Sequence, residues 1–294
     1  MKVCVNCDFA FQREEWECPE CGKAPDGGGG GGGYLCFVPK NCDANDAFNA
    51  EDFELLVEME ARNFWFTGRS MLLLWAFKRY FPAASSFFEV GCGTGFVLSG
   101  FFREVPHLVL AGSDLHSSAL GFAQKRLDGV PLYQIDACHV PFEKEFDAIG
   151  AFDVLEHIHD DERALEQMFR AVKPGGGIMI TVPQHQILWS AVDGYSHHKR
   201  RYSSAELIRK VEAAGFVVGR VTSFLTLLLP LMILSRIRWK LGRSDYDPIS
   251  ELRISSFLNN VLGKFMSLER WFIQLGVSFP AGGSLLLVAR REES

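Results

Sequence analysis

The feature that most constrains this chain is the alternation, between Ser86 and Pro183, of short apolar runs with stretches of helical periodicity. The apolar runs are FFEVG, LVLAGSD, PLYQID, FDAIGAFD and GGGIMITVP, and LSGFFREV, HSSALGFAQKRL and DERALEQMFRAV stand among them. Apolar strands joined by crossover helices predict a parallel sheet with helices on both faces. Because ligands of such sheets bind outside the carboxyl ends of the strands, the residues that follow each run are candidates for a site.

Length and composition fit one large α/β domain with a small addition. The chain has 294 residues, of which 48% are hydrophobic and 22% charged, and this mixture excludes a disordered or fibrous protein. The net charge of −6 provides no basic surplus to attract nucleic acid, which is therefore the less favoured partner. The first 20 residues contain no apolar segment typical of a secretory signal, so we expect a cytoplasmic protein.

Four cysteines near the N-terminus form two CxxC pairs: Cys4, Cys7, Cys18 and Cys21. Two such turns supply the four thiolates that a tetrahedral zinc ion needs, so the pattern predicts a structural zinc site. A redox or disulfide role is the alternative, and it is disfavoured because no βαβ pattern surrounds the pairs. The segment is too small for a core of its own, and zinc would supply most of its folding free energy.

The chain divides into three predicted parts. Residues 1–26 form a zinc-ribbon-like module. Residues 27–50 form a linker, because they include an uninterrupted run of seven glycines. Residues 51–294 form the main domain, which begins with two predicted helices around the sequence NFWFTG and contains a helical insertion at about 225–278.

The first apolar run ends in EVGCGTG at Glu89–Gly95, where three glycines allow a tight turn and a close approach of the backbone to a ligand. The GxGxG spacing, with an acid before it, differs from the GxGxxG of dinucleotide-binding proteins and favours a cationic ligand. Asp114 ends the second run, where a carboxylate can bind both hydroxyls of a ribose. Asp136 ends the third, where it and the next N–H can read an adenine edge. A helix cap is the alternative for each aspartate.

With these motifs, residues 86–222 resemble the class I S-adenosylmethionine-dependent methyltransferases, in particular a bacterial type 11/12/23-like subgroup. The resemblance implies a Rossmann-like parallel sheet with an antiparallel last strand, helices on both faces, and S-adenosylmethionine as cofactor. The zinc-ribbon-like head is an addition to that fold. The implied cofactor-binding residues are Glu89, Gly91, Gly93, Gly95, Asp114, Leu115, Asp136, Ala137 and Phe152.

Candidate catalytic residues follow the fourth and fifth predicted strands. His157, in the sequence DVLEH, is a candidate general base for a hydroxyl acceptor. The same stretch resembles the arrangement with which some quinone-pathway O-methyltransferases bind a divalent metal, here Asp153, Glu156 and His157, and ordinary loop structure is a further alternative. His198 lies in DGYSHHKRRY, whose basic side chains indicate either an anionic acceptor or a solvated face.

In the resembling fold a short turn joins the last two strands, whereas here about sixty residues separate GFVVGRVTSF from GGSLLLVARR. Residues 225–243 combine an apolar run too short to cross a bilayer with Trp239 and several cations, a combination typical of contact with an anionic membrane surface. The sequence FLNNVLGKFMSLERWFIQLG predicts an amphipathic helix. A lid or a dimer contact is the alternative role for both segments.

The sequence therefore predicts a methyltransferase that uses S-adenosylmethionine and methylates a small-molecule or lipid-linked acceptor, of quinone, lipid or saccharide type, at oxygen. We expect it in the cytoplasm, with peripheral membrane contact through residues 225–243. One alternative is a zinc-ribbon-containing rRNA or tRNA methyltransferase, which the acidic head disfavours. The other is a non-enzymatic binding protein with the cofactor fold, which the intact motifs disfavour.

Overall fold

The computed structural model describes residues 1–27, 33–38, 50–240 and 254–293. The helices are α1 (Ala50–Glu60), α2 (Phe64–Tyr80), α3 (Phe96–Glu104), α4 (Ser117–Arg126), α5 (Asp161–Ala171), α6 (Ala191–Tyr195), α7 (Ser204–Ala213), α8 (Leu229–Lys240) and α9 (Ser256–Gln274). The strands are β1 (Lys2–Val3), β2 (Ala10–Phe11), β3 (Asp26–Gly27), β4 (Leu35–Cys36), β5 (Ser86–Val90), β6 (Val109–Asp114), β7 (Leu132–Gln134), β8 (Phe146–Phe152), β9 (Val172–Pro183), β10 (Val217–Phe224) and β11 (Ser284–Arg290).

One sheet organises the main domain, and its strand order among the described residues is β10-β11-β9-β8-β5-β6-β7-β4-β3. The strands from β7 through β6, β5 and β8 to β9 are parallel, and β11 is antiparallel to both β9 and β10. The predicted Rossmann-like α/β fold with an antiparallel last strand is confirmed. Because the strand order reverses at β5, a crevice opens at the carboxyl ends of β5, β6 and β8.

Aromatic rings fill both faces of the sheet. On one face Phe87 stacks on Phe101 with the ring centroids 4.5 Å apart, and Phe77 contacts both rings edge-on. On the other face Phe88 stacks on Phe146 at 4.7 Å. Successive side chains of β5 thus pack on opposite faces of the sheet, as the two-residue period of a strand requires. Burial on both faces explains why these strands read as nearly continuous apolar runs.

The two helices predicted around NFWFTG are present, and α2 begins inside that sequence. Asn63 caps α2, because its side-chain oxygen accepts the N–H of Trp65 at 2.9 Å. Asn259 of α9 accepts the N–H of Phe64 at 2.8 Å and donates to the carbonyl oxygen of Arg62 at 2.8 Å. These bonds attach α9 to the start of α2, so this helix of the insertion is anchored to the main domain.

The predicted insertion contains both α8 and α9. Pro230 is the second residue of α8, within the first turn, where its missing N–H costs no helical hydrogen bond. Among the helices described, none is both long and apolar enough to span a membrane.

The N-terminal head packs on the β7 side of the sheet. Trp16 makes edge contacts with Phe37, Tyr133 and Phe142, with ring centroids 4.7, 6.1 and 5.6 Å apart. The head therefore shares an apolar contact with the main domain.

Part of the segment predicted as a linker is a strand. β4 pairs in parallel with β7, with Leu35 opposite Tyr133, and β3 pairs with β4 in the antiparallel sense. A two-residue strand leaves no periodicity in the sequence, and its pairing depends on the free edge that β7 offers. Residues 28–32, in the glycine run, and 39–49 lie outside the described residues. The boundaries of the three predicted parts stay a prediction.

The close approach of β9 and β11 requires a glycine at Gly177, where an added Cβ would lie 2.2 Å from the carbonyl oxygen of Ala289. We expect Gly177→Ala to lower the free energy of unfolding by about 1 to 3 kcal/mol, as overpacking does, in urea denaturation followed by circular dichroism. Gly219→Ala in β10 is the matched control, because the nearest atom to its Cβ is 3.8 Å away. Equal losses of stability in the two variants would contradict the expectation.

Candidate cofactor and catalytic site

The loop after β5 has a backbone shape that favours glycine. Gly91, Gly93 and Gly95 have φ angles of +68°, +53° and +74°. A Cβ on Gly91 would lie 2.5 Å from the side chain of Val154, and one on Gly95 would lie 2.8 Å from that of Leu127. A Cβ on Gly93 would meet nothing within 4 Å. The loop is thus packed against protein at both ends and faces open space at Gly93, as a ligand cradle would.

Asp114, at the end of β6, holds this loop in place. Its carboxylate accepts the N–H of Gly93 at 2.8 Å and the N–H of His116 at 2.9 Å. The two predicted motifs meet because β5 and β6 are parallel, with Val90 opposite Ser113. The acid predicted to bind the ribose therefore lies beside the predicted glycine loop.

Glu89 places a buried carboxyl group under the same loop. One of its oxygens, Oε2, has no hydrogen-bond partner among the described residues. Burial raises the pKa of Glu89 to about 8, although the charge of Arg69 opposes the shift. An acceptor left without a partner at the end of a strand fits a ligand that carries an ammonium group, which S-adenosylmethionine does.

Asp136 and Ala137 follow β7 in a tight turn. The carboxylate of Asp136 accepts the N–H of Cys138 at 2.9 Å and lies 3.1 Å from Nδ1 of His139. Both predicted residues are partly exposed. Asp136 thus stabilises its own turn, no helix begins there, and its contact with an adenine stays a prediction.

Leu115 and Phe152 occupy different environments. Leu115 follows Asp114, and its carbonyl oxygen accepts a hydrogen bond from Nε2 of Gln134 at 3.0 Å. Phe152 is buried in the core, with its ring centroid 6.5 Å from that of Phe87. Cofactor contacts by both residues stay predictions.

Helix α1 covers the glycine loop through residues that sequence reasoning missed. Thr94 in the loop donates its hydroxyl to Glu60 of α1 at 2.6 Å, and Arg126 donates to the same carboxylate at 2.9 Å. Phe53 of α1 packs 6.0 Å from the ring of His116. The spacing of apolar residues in the sequence predicts a helix here, but it does not show that the helix contacts the loop.

Arg69 of α2 is the buried cation of the site, and sequence reasoning also missed it. It forms an ion pair with Asp153, which follows β8. Burial lowers the pKa of Arg69 to about 10, and the nearby charges of Glu89, Glu60 and Glu156 act against that shift. The ion pair joins residues 84 positions apart, so no local pattern reveals it. Asp153 pairs with Arg69 and is not part of the possible metal-binding cluster, which contains Glu156, His157 and His198.

The two candidate catalytic histidines lie together. The rings of His157 and His198 are 4.8 Å apart and nearly perpendicular. Glu156 joins them, with Oε1 4.0 Å from Nε2 of His198. Both carboxylate oxygens of Glu156 are buried without a hydrogen-bond partner in the described part of the chain, and burial raises its pKa to about 8. Ligand atoms from the three residues lie within 4.8 Å of one another, so this set could hold a metal ion.

Asp193 orients His198. Its Oδ1 lies 2.9 Å from Nδ1 of His198, and Arg201 donates to both oxygens, from Nε at 2.7 Å and Nη2 at 3.0 Å. Burial alone would raise the pKa of Asp193, but the hydrogen bonds from His198 and Arg201 hold it below its ordinary value. With Nδ1 engaged, Nε2 of His198 faces Glu156.

The basic segment DGYSHHKRRY is largely engaged with the protein itself. Arg201 is buried against Asp193, and Arg200 lies 3.0 Å from Asp161. Neither arginine is available as the anion-binding group that one interpretation of the segment expected. The correction has a simple cause, because their carboxylate partners are brought near by the fold.

The four sulfur atoms predicted to bind zinc meet in the head. The sulfurs of Cys4 and Cys21 are 3.6 Å apart, as are those of Cys7 and Cys18, and all four lie within 4.8 Å of one another. All four are free thiols. Zinc–sulfur bonds of about 2.3 Å in a tetrahedron place sulfurs about 3.8 Å apart, so the cluster fits a zinc ion. Zinc binding itself stays a prediction.

Residues 88–180 match the family described as "Methyltransferase domain". The match runs from β5 into β9 and contains the glycine loop, Asp114 and the histidine at 157. The chain carries a methyltransferase domain. This match supports the S-adenosylmethionine-dependent class that the sequence resemblance predicted, whereas the zinc-ribbon-like character of the head stays a prediction.

Known proteins resemble this chain over part of its length. A Mycolicibacterium smegmatis protein described as "Probable S-adenosylmethionine-dependent methyltransferase" is 25% identical over 159 residues, 53% of this chain and 60% of that protein. A Vibrio parahaemolyticus "Ubiquinone/menaquinone biosynthesis C-methyltransferase UbiE" is 32% identical over 123 residues, 37% of this chain and 47% of that protein. The chain thus spans about half the length of these curated relatives.

The fold is also that of solved methyltransferases. The structure of Haemonchus contortus phosphoethanolamine N-methyltransferase 2 in complex with S-adenosyl-L-methionine superposes with a TM-score of 0.56. The superposition covers 86% of this chain and 59% of that chain, at 19% sequence identity. At that identity the likeness shows the fold.

We expect Asp114→Ala to weaken the binding of S-adenosylmethionine by about tenfold to a hundredfold, since a hydrogen bond to a charged group is worth about 1.5 to 3 kcal/mol. Isothermal titration calorimetry measures the effect. Asp128→Ala is the control, because Asp128 is exposed in the turn after α4. An unchanged affinity in Asp114→Ala would remove this residue from the cofactor site.

We expect one zinc ion per chain, lost in Cys18→Ser and retained in Cys36→Ser, whose sulfur lies outside the cluster. Native mass spectrometry measures the zinc content. Chelation should also lower the melting temperature of the head, because metal binding supplies much of the folding free energy of such small modules. Full zinc content in Cys18→Ser would contradict the assignment.

Proposed function

We propose that this protein transfers a methyl group from S-adenosylmethionine to a hydroxyl group of a small-molecule or lipid-linked acceptor. One observation carries the proposal: the cradle at Gly93 and the pair His157–His198 both follow strands of the same parallel sheet at its carboxyl edge. The cofactor supplies a methyl group on a sulfonium, which is already activated. The protein therefore has to position the acceptor and accept its proton.

The residues around the glycine loop account for cofactor binding. The loop offers an open backbone surface at Gly93, held by Asp114. In this proposal the remaining acceptor capacity of Asp114 binds the ribose hydroxyls. The buried Glu89, with its unpartnered oxygen, receives the ammonium group. The Arg69–Asp153 ion pair closes the site on the α2 side.

The histidine pair accounts for proton transfer. Asp193 engages Nδ1 of His198, which leaves Nε2 as the atom that can accept a proton from a hydroxyl group. This is the orienting role that a carboxylate plays behind a catalytic histidine. Burial lowers the pKa of His157 to about 3, so this ring is neutral at neutral pH and adds no positive charge beside His198.

The insertion and one relative support the class of acceptor. The Vibrio parahaemolyticus relative is named as a C-methyltransferase of ubiquinone and menaquinone biosynthesis, so that protein methylates carbon. A quinone-type or other lipid acceptor agrees with an insertion that exposes many apolar side chains. Methylation at oxygen rests on the histidine pair. In this proposal residues 225–243, of which 241–243 lie outside the described residues, make a peripheral membrane contact from the cytoplasmic side, with zinc as a structural ion of the head.

We expect His198→Gln to lower the methyl-transfer rate by about a hundredfold or more, the usual contribution of a general base, without weakening cofactor binding. His107→Gln, at an exposed position between α3 and β6, is the control. The assay follows labelled methyl groups from S-adenosylmethionine into the fractions of a cell extract.

The distribution of the label tests the acceptor class. Label in the organic phase would support a lipid-linked acceptor, and label in the RNA fraction would contradict the proposed function. A His198→Gln variant with the turnover of the unmodified protein would contradict the role of this residue as the base.

A further inference from the structure

The outer face of α9 is apolar although it is exposed. Phe257, Trp271 and Leu275 are 79%, 51% and 64% exposed, and Leu268 lies between them on the helix. Leu268 follows Phe257 by 11 residues, about three helical turns, and Trp271 and Leu275 follow three and four residues later, so all four lie on one side of α9. The opposite side, which includes Met266, is buried against the domain. Helix α9 is therefore apolar on two sides, and the domain covers one of them. We call the exposed side the α9 face.

A groove between α2 and α9 runs beside the α9 face. Its volume is about 410 Å³, and its polar and flexible lining includes Thr67, Met71, Asn260, Lys264, Ser267 and Arg270. Arg270 reaches over the exposed Met71, with Nη1 2.9 Å from the sulfur. Burial lowers the pKa of Arg270. The groove thus combines two cations with hydroxyl and amide groups, and such a set suits a phosphate.

Among the described residues of α8 and α9, no exposed acidic side chain balances these cations. The sequence of α8 has no acidic residue, and α9 has one, Glu269. Glu269 is buried and accepts the N–H of Leu227 at 2.8 Å, just before α8. Helix α8 adds Leu231, Leu234 and Ile237 to the exposed apolar side chains.

We propose that the α9 face docks on a membrane of anionic phospholipids, with a lipid phosphate in the groove at Lys264 and Arg270. An exposed apolar helix face bordered by cations and by a tryptophan is suited to the boundary between headgroups and acyl chains. The proposal rests on the proposed function in one respect, because it gives the surface from which a lipid-linked acceptor would be reached.

Charge distinguishes a membrane from a second copy of the chain as the occupant. In a twofold dimer the same patch faces itself, which would bring Lys264 and Arg270 of both copies into one apolar contact. Like charges in such a contact are unfavourable, whereas an anionic membrane complements them. The charge pattern therefore favours lipid phosphate.

The test is co-flotation of the full-length, zinc-loaded protein with vesicles, in the absence of S-adenosylmethionine and acceptor. We expect binding to vesicles of equal parts phosphatidylglycerol and phosphatidylcholine, and weak binding to phosphatidylcholine alone. The double variant Lys264→Gln, Arg270→Gln should bind about tenfold to thirtyfold more weakly, since each cation near the surface contributes about 1 kcal/mol. Trp271→Glu should also lose binding.

Matched variants keep the result specific to this surface. Two control variants should bind as the unmodified protein does: Lys125→Gln, at an exposed position of α4, and Val109→Glu, at an exposed position of β6. Circular dichroism of every variant establishes that it is folded. Because no methyl transfer is measured, failure of the proposed function leaves this test unaffected.

Three results would overturn the inference. The first is equal binding to both kinds of vesicle. The second is binding of inorganic phosphate at Lys264 and Arg270 without vesicle binding, which would assign the groove to a free anion. The third is a dimer in analytical ultracentrifugation that Trp271→Glu dissociates and vesicles leave intact, which would assign the α9 face to a second copy.

Discussion

The parallel pairing of β5 with both β6 and β8 is the constraint on which the site depends. It brings the carboxyl ends of three strands to one edge, and each of these ends carries an acidic side chain: Glu89, Asp114 and Asp153. Acids so close together need hydrogen-bond donors or a cation. Asp114 finds its donors in the glycine loop, Asp153 pairs with Arg69, and Glu89 keeps an oxygen unpartnered in the described structure.

Two groups of buried charged side chains meet at this edge, one on the cofactor side and one beside the histidine pair. Arg69 lies among the acids of the cofactor side, whereas Arg201 and Asp193 lie behind His198 on the other side. Removal of one partner of such a buried pair leaves an uncompensated charge, so each group fixes the position of its members strongly. Glu156 lies where the two groups meet, and its carboxylate oxygens, which have no hydrogen-bond partner among the described residues, suit that position to a polar ligand.

The additions to the common fold lie at opposite ends of the sheet. The head and β4 extend the β7 edge, while α8 and α9 come between β10 and β11 in the chain, and these two strands pair at the other edge. The cofactor loop follows the central strand β5. The head rests on aromatic contacts around Trp16, and the insertion rests on Asn259 and the start of α2. Helix α2 links the insertion to the site, because it also carries Arg69.

The sequence by itself determined the strands from β5 to β11, the glycine loop, Asp114 and the cysteine cluster, because each depends on apolar runs or on residues close together in the chain. The tertiary structure alone decided the partners of Arg69, Asp153 and His198. It also made a strand of Leu35–Cys36, engaged Arg200 and Arg201 with internal carboxylates, and left one apolar side of α9 exposed. These outcomes depend on contacts between distant segments. Local periodicity does not encode which segments meet, because a charge or an apolar face looks the same in the sequence whether or not the fold covers it.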